Sequence, residues 1–208
     1  MRLGLRWAGP LAVVALALGA AVVVSQRGDE GGSSPPSAPS DEPGEPEELV
    51  EVTSDGPRHA TLDELVGSAD LVVRGEVAST ERGRAFGQPG GTTIVSRLVT
   101  LQVDEVLAGT APQAGTVVVE EEGWLDDGRA LVVDGAAPTR TGDAGFWFLV
   151  EVDDPDLPVY TTVGAAGRYL VGPDDPERLE GADNDDPLVA ELVARTPDEL
   201  AAAIRTAP

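Results

Sequence analysis

Two apolar runs rich in β-branched residues flank a turn-rich connection in residues 92–123, TTIVSRLVTLQVDEVLAGTAPQAGTVVVEEEG. In the first run, alternate positions are apolar and the positions between them are mostly polar. The apolar set is Val95, Val99, Leu101, Val103 and Leu107, and the polar set is Ser96, Thr100, Gln102 and Asp104. A period of two is typical of a strand with one face in a core and the other in water. The stretch therefore predicts a long β-hairpin.

Arg97 and Glu105 are charged residues at inward positions of the first run. Because burying a charge is costly, we expect both side chains near the ends of the strand, where a barrel opens to water. Deep burial of both would indicate either a different register or a polar site inside the barrel.

A short helix and a strand are predicted before the hairpin. Thr61 and Glu64 fit a capping box, and apolar residues follow at helical spacing, so residues 62–68 are predicted to form a helix. Residues 69–80 are predicted to form a strand, in which Gly75 is a candidate bulge or bend.

Beyond the hairpin, short apolar runs alternate with turns. The most hydrophobic and aromatic run, residues 146–152, is the best candidate for a central strand. The other predicted strands are residues 129–134, 159–163 and 168–171, of which the last two form a closing hairpin around residues 164–167. The predicted loops are residues 81–91, 124–128, 135–145 and 153–158.

Two helices are predicted near the end of the chain. Residues 187–194 carry an apolar stripe. Residues 197–205 follow a second capping box, formed by Thr196 and Glu199, with proline at the first helical position. We expect both helices to pack loosely on the sheet.

This order of elements predicts a mainly β fold. A capped helix is followed by six or seven short strands without alternation of strand and helix, which favours a small antiparallel OB-like barrel or a sandwich. The predicted β-barrel domain spans residues 59–171, and the acidic turn and C-terminal helices span residues 172–208.

Arg2 and Arg6 precede an uncharged run over residues 7–26, and acidic residues dominate after it. Twenty helical residues span about 30 Å, the thickness of the hydrocarbon core of a bilayer. We therefore interpret residues 1–27 as a transmembrane anchor with a cytoplasmic N-terminus and an extracytoplasmic C-terminal domain. The alternative is a signal peptide, cleaved after Ala21 or Ser25, which would leave a secreted protein.

Residues 28–58 are crowded with Pro, Gly, Ser, Asp and Glu and have little to bury. Such a segment cannot offset the entropy lost on ordering, so it is predicted to be disordered. We interpret it as a spacer that lifts the domain off the membrane.

The composition excludes several kinds of chemistry. The net charge is −23, all 14 basic residues are Arg, Cys is absent and His59 is the single histidine. Sites that need a lysine, a thiol or two histidines are therefore excluded. Residues 27–208 carry 12 Arg against 37 acidic residues, a net charge of −25. Because nucleic-acid affinity rests on phosphate neutralisation, we expect no nucleic-acid partner.

Four segments together resemble a known kind of domain. The succession LDELVGSADLVVRGEV, VTLQVDEVLAG, GTVVVEEEG and GDAGFWFLV, within residues 62–171, is similar to a recurrent, poorly characterised OB-like domain of membrane-anchored or secreted bacterial proteins. The resemblance implies an extracytoplasmic β-barrel and brings no catalytic or binding residues with it. Ala108 departs from the pattern, in which a basic residue is expected.

Candidate catalytic and metal-binding patterns are weak. No G-x-S-x-G elbow is present and His59 lies at the domain margin, so a Ser–His–acid triad is not expected. Residues 183–186, DNDD, loosely resemble a calcium loop, but Leu188 and Ala194 replace the glycine and glutamate it requires. We interpret these residues as an acidic turn that caps the next helix.

Adjacent carboxylates are expected in so acidic a chain, and we interpret them as solvated faces. They are Glu120–Glu122, Asp126–Asp127, Asp153, Asp154 and Asp156, and Asp174–Asp175. Trp124 and the loops 81–91 and 135–145 are candidates for a recognition surface, although an aromatic residue in a loop also serves as a plug over the mouth of a barrel.

The sequence therefore favours a membrane-tethered extracytoplasmic binding domain, held through residues 7–26, with a protein or another cell-envelope component as partner. No catalytic, cofactor-binding or metal-binding residue is predicted. One alternative is an accessory hydrolase of the cell envelope that uses carboxylates or a metal, and another is a purely structural cell-envelope protein.

Overall fold

The computed structural model describes residues 48–54, 56–87, 92–110, 114–154, 159–182 and 185–208. The predicted anchor or signal peptide, residues 1–27, lies outside these residues, as does most of the predicted spacer. In the described part of the chain, no helix is both long and apolar enough to cross a membrane.

The fold is mainly β, as predicted, and its helices are short. In chain order the elements are β1 (Leu49–Val52), α1 (Leu62–Gly67), β2 (Leu71–Gly87), β3 (Thr93–Gly109), β4 (Thr116–Leu125), β5 (Ala130–Val133), β6 (Ala144–Glu151), β7 (Tyr160–Thr162), a 3₁₀ turn (Ala165–Gly167), β8 (Arg168–Val171), β9 (Leu179–Gly181), α2 (Pro187–Val193) and α3 (Pro197–Thr206).

One sheet contains all of these strands, in the order β1-β5-β4-β3-β2-β6-β8-β9. Strand β7 lies off this path and pairs with both β4 and β6. It is antiparallel to β6, and it meets β4 in a parallel bridge between Val119 and Tyr160. Strands β4, β3, β2, β6 and β7 thus form a circuit of neighbours.

The predicted hairpin is confirmed as β3 and β4. Val99 lies opposite Val119, and Leu101 lies opposite Val117. All four side chains are buried on the face of the sheet that we call the inner face. Their apolar cluster also contains Leu71, Val73, Val77, Trp147 and Leu149.

The alternation of β3 reverses near its end. Register shifts beside Arg74 place Glu105 and Leu107 on the opposite, outer face. Leu107 is buried there, and the Glu105 carboxylate accepts a hydrogen bond of 3.0 Å from Arg205 Nε of α3. The inward positions predicted for Glu105 and Leu107 are therefore wrong, because extra residues in one strand invert the faces of those that follow.

A second core lies between the outer face and the helices. Phe146 and Phe148 of β6 are buried in it, whereas Trp147 between them belongs to the inner core. Leu192 of α2 and Leu200 of α3 are fully buried in the same cluster. The helices are thus packed tightly, not loosely as predicted. The central position of residues 146–152 in the sheet is confirmed, since β6 is bordered by strands on both edges.

The helix caps follow from the sequence. The Thr61 hydroxyl accepts from the Glu64 amide at 3.2 Å, but the Glu64 carboxylate accepts from the Ala60 amide and not from that of Thr61. In α3, Thr196 and Glu199 form the complete capping box that their spacing predicts.

Three predicted loops or turns differ from the structure. Residues 81–87 continue β2 and are not a loop. Strands β7 and β8 do not form a hairpin with each other, because both lie along the edge of β6 opposite β2, separated by the 3₁₀ turn. Strand β9, within the predicted acidic turn, pairs with β8.

The ordered domain also begins before residue 59. Strand β1 lies within the predicted disordered linker, 28–58, and pairs in parallel with β5. The Ser54 amide and hydroxyl donate to the Asp134 carboxylate at 3.0 and 2.7 Å. Ordering this segment costs conformational entropy, which its own side chains cannot offset. The hydrogen bonds to the distant strand β5 offset it.

Gly75 and Gly145 lie opposite each other on β2 and β6. A β-carbon at Gly75 would collide with the carbonyl oxygen of Gln102, and one at Gly145 would collide with that of Tyr169. The backbones of the adjacent strands β3 and β8 thus approach these two positions closely, which only glycine permits.

We predict that Gly145→Ala destabilises the domain by about 1–3 kcal/mol, because the added methyl must displace backbone. Gly67→Ala is the matched control, since its β-carbon meets nothing within 4 Å and alanine is the better helix former. Urea unfolding measures both variants. An unchanged midpoint for Gly145→Ala would contradict the close approach of β8.

Candidate functional site

A row of charged side chains crosses three strands next to the inner core. Arg82 lies opposite Arg97, and Arg97 lies opposite Glu121. Residues directly opposite in antiparallel strands point to the same face. Arg97 shares its face with Val99, and Glu121 shares its face with Val119, so the row lies on the inner face.

Arg97 is only 3% exposed. The expectation that the Arg97 side chain reaches water is therefore wrong, while the Glu105 side chain is 38% exposed. The inner face thus carries a buried charge next to its apolar core.

Glu121 is held by an arginine and a threonine. Arg168 Nη1 donates to its two carboxylate oxygens at 3.1 and 3.3 Å, and the Thr139 hydroxyl donates to the same oxygens at 2.9 and 2.7 Å. Arg168 also donates to the Ala137 carbonyl at 2.5 Å and contacts the Thr139 hydroxyl. The Glu121 and Arg168 side chains are each only 11% exposed. The cluster thus ties β4, β8 and residues 137–139 together.

The Trp124 side chain lies against the two arginines of the row, Arg82 and Arg97. It lies in β4, not in the predicted loop 124–128, and a register shift at Gly123 brings it opposite Val95 on the inner face. The Arg97 and Arg82 guanidinium carbons lie 4.4 and 4.8 Å from the centre of its ring. These are cation–π distances, so the ring contacts both guanidinium groups.

The outer face of β4 carries the other two acids of the predicted run. Arg84 donates to the two oxygens of Glu120 at 3.0 and 2.8 Å and lies 3.6 Å from Asp154. The Glu120 side chain is 10% exposed. The prediction of a solvated face is thus wrong for Glu120 and Glu121, because arginines from other strands cover both.

Glu122 has a raised pKa. Burial is the main cause, and the nearby carboxylates of Glu121, Asp134 and Glu120 add to it, while a backbone hydrogen bond opposes it. The three consecutive acids therefore occupy three different environments on alternate faces of one strand.

Other predicted polar segments have simpler roles. The Asp186 carboxylate accepts from the Leu188 amide at 2.8 Å, which confirms that it caps α2. Residues 183 and 184 lie outside the described residues. Asp126–Asp127 and Asp174–Asp175 are exposed, as predicted, and Arg129 lowers the pKa of Asp127 mainly through a side-chain hydrogen bond. His59 is half-buried before α1.

Residues 54 and 56–58 form one wall of a narrow cleft beside the start of α2. Its other walls include Asp134, Ala166 and Asp186. Ser54 donates to Asp134, and Arg58 lies 3.5 Å from Asp186. These contacts attach the N-terminal segment to the domain. Among the described residues, no group of three or more His, Cys, Asp or Glu side chains is placed to hold a metal ion.

The sequence contains one signal for the polar cluster. Val117, Val119 and Glu121 share one parity of the second run, and Arg97 shares the inward parity of the first. Opposite charges at inward positions of a hairpin indicate a cross-strand pair, whereas Arg168 and Thr139 come from distant segments that alternation alone cannot place.

We predict that Glu121→Gln destabilises the domain by about 3–5 kcal/mol, because it leaves the buried Arg168 without its carboxylate. The double variant Glu121→Leu/Arg168→Leu should cost less, since no buried charge of this pair remains. Glu105→Gln, which breaks the exposed pair with Arg205, is the control and should cost less than about 1 kcal/mol. Urea unfolding of the three variants and the unmodified protein measures these losses of stability. A loss for Glu121→Gln as small as that for Glu105→Gln would refute the cluster.

The raised pKa of Glu122 predicts a pH dependence. The folded state binds this proton more tightly than the unfolded state, so stability falls as pH rises from about 4.5 through the folded-state pKa. Glu122→Gln removes this loss, and its gain in melting temperature over the unmodified protein should grow across that window. Glu180→Gln, at an exposed position of β9, corrects for net charge. Parallel pH profiles of the Glu122 variant and the unmodified protein would contradict the shift.

No protein-family model and no curated protein matches this chain.

Proposed function

We propose that this chain is a membrane-tethered, extracytoplasmic binding domain. The observation that carries the proposal is the exposed Arg82, whose guanidinium carbon lies 4.8 Å from the centre of the Trp124 ring, beside the buried pair of Glu121 and Arg168. A binding group is most effective when other contacts fix its orientation before the partner arrives.

We also propose that the circuit β4-β3-β2-β6-β7 is a small OB-like barrel. Its support is the pairing of β7 with both β4 and β6, one parallel and one antiparallel. The apolar inner core fills the space that such a barrel would enclose. The polar cluster would then lie at one mouth of the barrel, a usual place for a ligand.

The tether rests on the sequence. Residues 7–26 have the length and flanks of a membrane anchor, and the acidic spacer follows them. The Ala130 amide donates to the Glu48 carbonyl at 3.2 Å, so the domain would be attached to the spacer at β1, an outermost strand of the sheet.

A protein or another cell-envelope component fits this surface better than a nucleic acid does. The net charge of −23 repels phosphates at long range. The carboxylates of β4 also fit binding better than hydrolysis. Glu120 and Glu121 point to opposite faces and are each held by an arginine, so they do not converge on one substrate position.

Site-specific photo-cross-linking in the cells that produce the protein tests the proposal. A photoreactive amino acid replaces Ala85, exposed on β2, in the full chain, and Ala202, exposed on α3, is the matched control position. We expect a reproducible partner from position 85 and not from position 202. Identical products from both positions, or none from position 85, would count against a binding function.

Mass spectrometry of the cross-linked chain tests the tether in the same sample. An intact N-terminus in the membrane fraction supports the anchor. A chain that begins after Ala21 or Ser25 and is found in the medium would show a secreted protein instead.

A further inference from the structure

Strand β2 has an open edge along its second half. Strand β6 pairs with it only over Leu71 to Glu76. The turn after Arg140 then hydrogen-bonds to Val77. The Val77 amide donates to the Asp143 carbonyl at 2.8 Å, and the Gly142 amide donates to the Val77 carbonyl at 2.9 Å. Beyond this point, among the residues that the structure describes, β2 pairs with β3 alone.

Four residues of this edge form a regular strand. Residues 79–82 pair with residues 100–97 of β3 in unbroken register, and register shifts precede and follow them. A regular strand with one unpaired edge presents a row of backbone donors and acceptors. Such an edge is a template for an extended peptide, which adds to the sheet as one more strand.

Arg82 supplies a charged anchor beside this edge. Arg82 is exposed, and its guanidinium carbon lies 4.8 Å from the centre of the Trp124 ring. A cation–π contact uses no lone-pair acceptor, so the guanidinium N–H donors remain available for a carboxylate. No ion pair engages Arg82 anywhere in the described ranges, whereas Arg84 is already paired with Glu120.

The acidic surface does not prevent such a contact. The two carboxylates of β4 nearest the row are neutralised by Arg84 and Arg168. More distant exposed acids are screened over about 8 Å at physiological ionic strength. Glu81 is the adjacent acid, but alternation places it on the opposite face of β2 from Arg82. Arg82 can therefore pair with a carboxylate of the partner, although the chain as a whole is negative.

We propose that the open edge of β2, residues 79–82, binds an extended peptide segment as an added strand, with an Asp or Glu side chain of that segment on Arg82. This proposal rests on the binding function and names its partner class. Because successive side chains of a strand alternate between faces, the acidic residue lies on the same face as Thr80 and Arg82.

A pair of synthetic peptides tests the charge requirement. The full-length chain in detergent is titrated with the fluorescent peptide TVEVTVEVT, and with TVQVTVQVT as the uncharged control, while anisotropy is recorded. We expect the acidic peptide to bind at least tenfold more tightly and to weaken as salt is added. Equal affinities would overturn the proposal.

Variants of the protein test the position. Arg82→Gln should abolish the preference for the acidic peptide, whereas Arg178→Gln, which removes the same charge at another exposed site, should keep it. Equal loss in the two variants would reduce the effect to net charge and overturn the proposal. Urea unfolding of both variants checks that the fold is retained.

N-methylation of the peptide backbone tests strand addition separately. Two acidic peptides, methylated at odd or at even amides, block one or the other set of backbone donors. We expect one of them to lose binding and the other to keep it. Unchanged binding of both would exclude strand addition. A partner cross-linked at position 85 without these peptide effects would leave the binding function intact and refute only the added strand.

Discussion

The cost of taking charge out of water determines how one end of this sheet is built. Arg97, Glu121 and Arg168 lie on the inner face, where an isolated charge would destabilise the fold by several kcal/mol. The cluster is stable because Arg168 and Thr139 both donate to the one carboxylate. Meeting that requirement joins β4, β8 and residues 137–139 through one set of hydrogen bonds.

Register shifts allow two long strands to serve several surfaces. A regular strand keeps each side chain on one face, and a one-residue slip exchanges the faces. In β3, the shift near Glu105 sends Leu107 from the inner core to the core beneath the helices. In β4, the shift at Gly123 returns Trp124 to the inner face, where it meets two arginines. The same hairpin thus contributes to both cores and to the polar cluster.

Local patterns predicted the parts of the fold that depend on neighbouring residues. Alternation identified the hairpin, the aromatic run identified β6, and the spacing of Thr196 and Glu199 identified the start of α3. The remaining features depend on distant pairing. Strand β1 is ordered by β5, and β7 and β8 share one edge of β6. The burial of Glu121 was missed because a run of acids was interpreted as a solvated face, although its parity matched that of Val119.

The open edge of β2 combines protection with selectivity. Exposed sheet edges invite aggregation, and charged side chains and bulges reduce that risk. This edge has Glu81 and Arg82, and a register shift follows Arg82 directly. An apolar strand added here would cover Arg82 and strip its guanidinium of water without supplying an acceptor, which is costly. A strand with a carboxylate at that position would supply the acceptor, so the residue that discourages indiscriminate pairing would also select the partner.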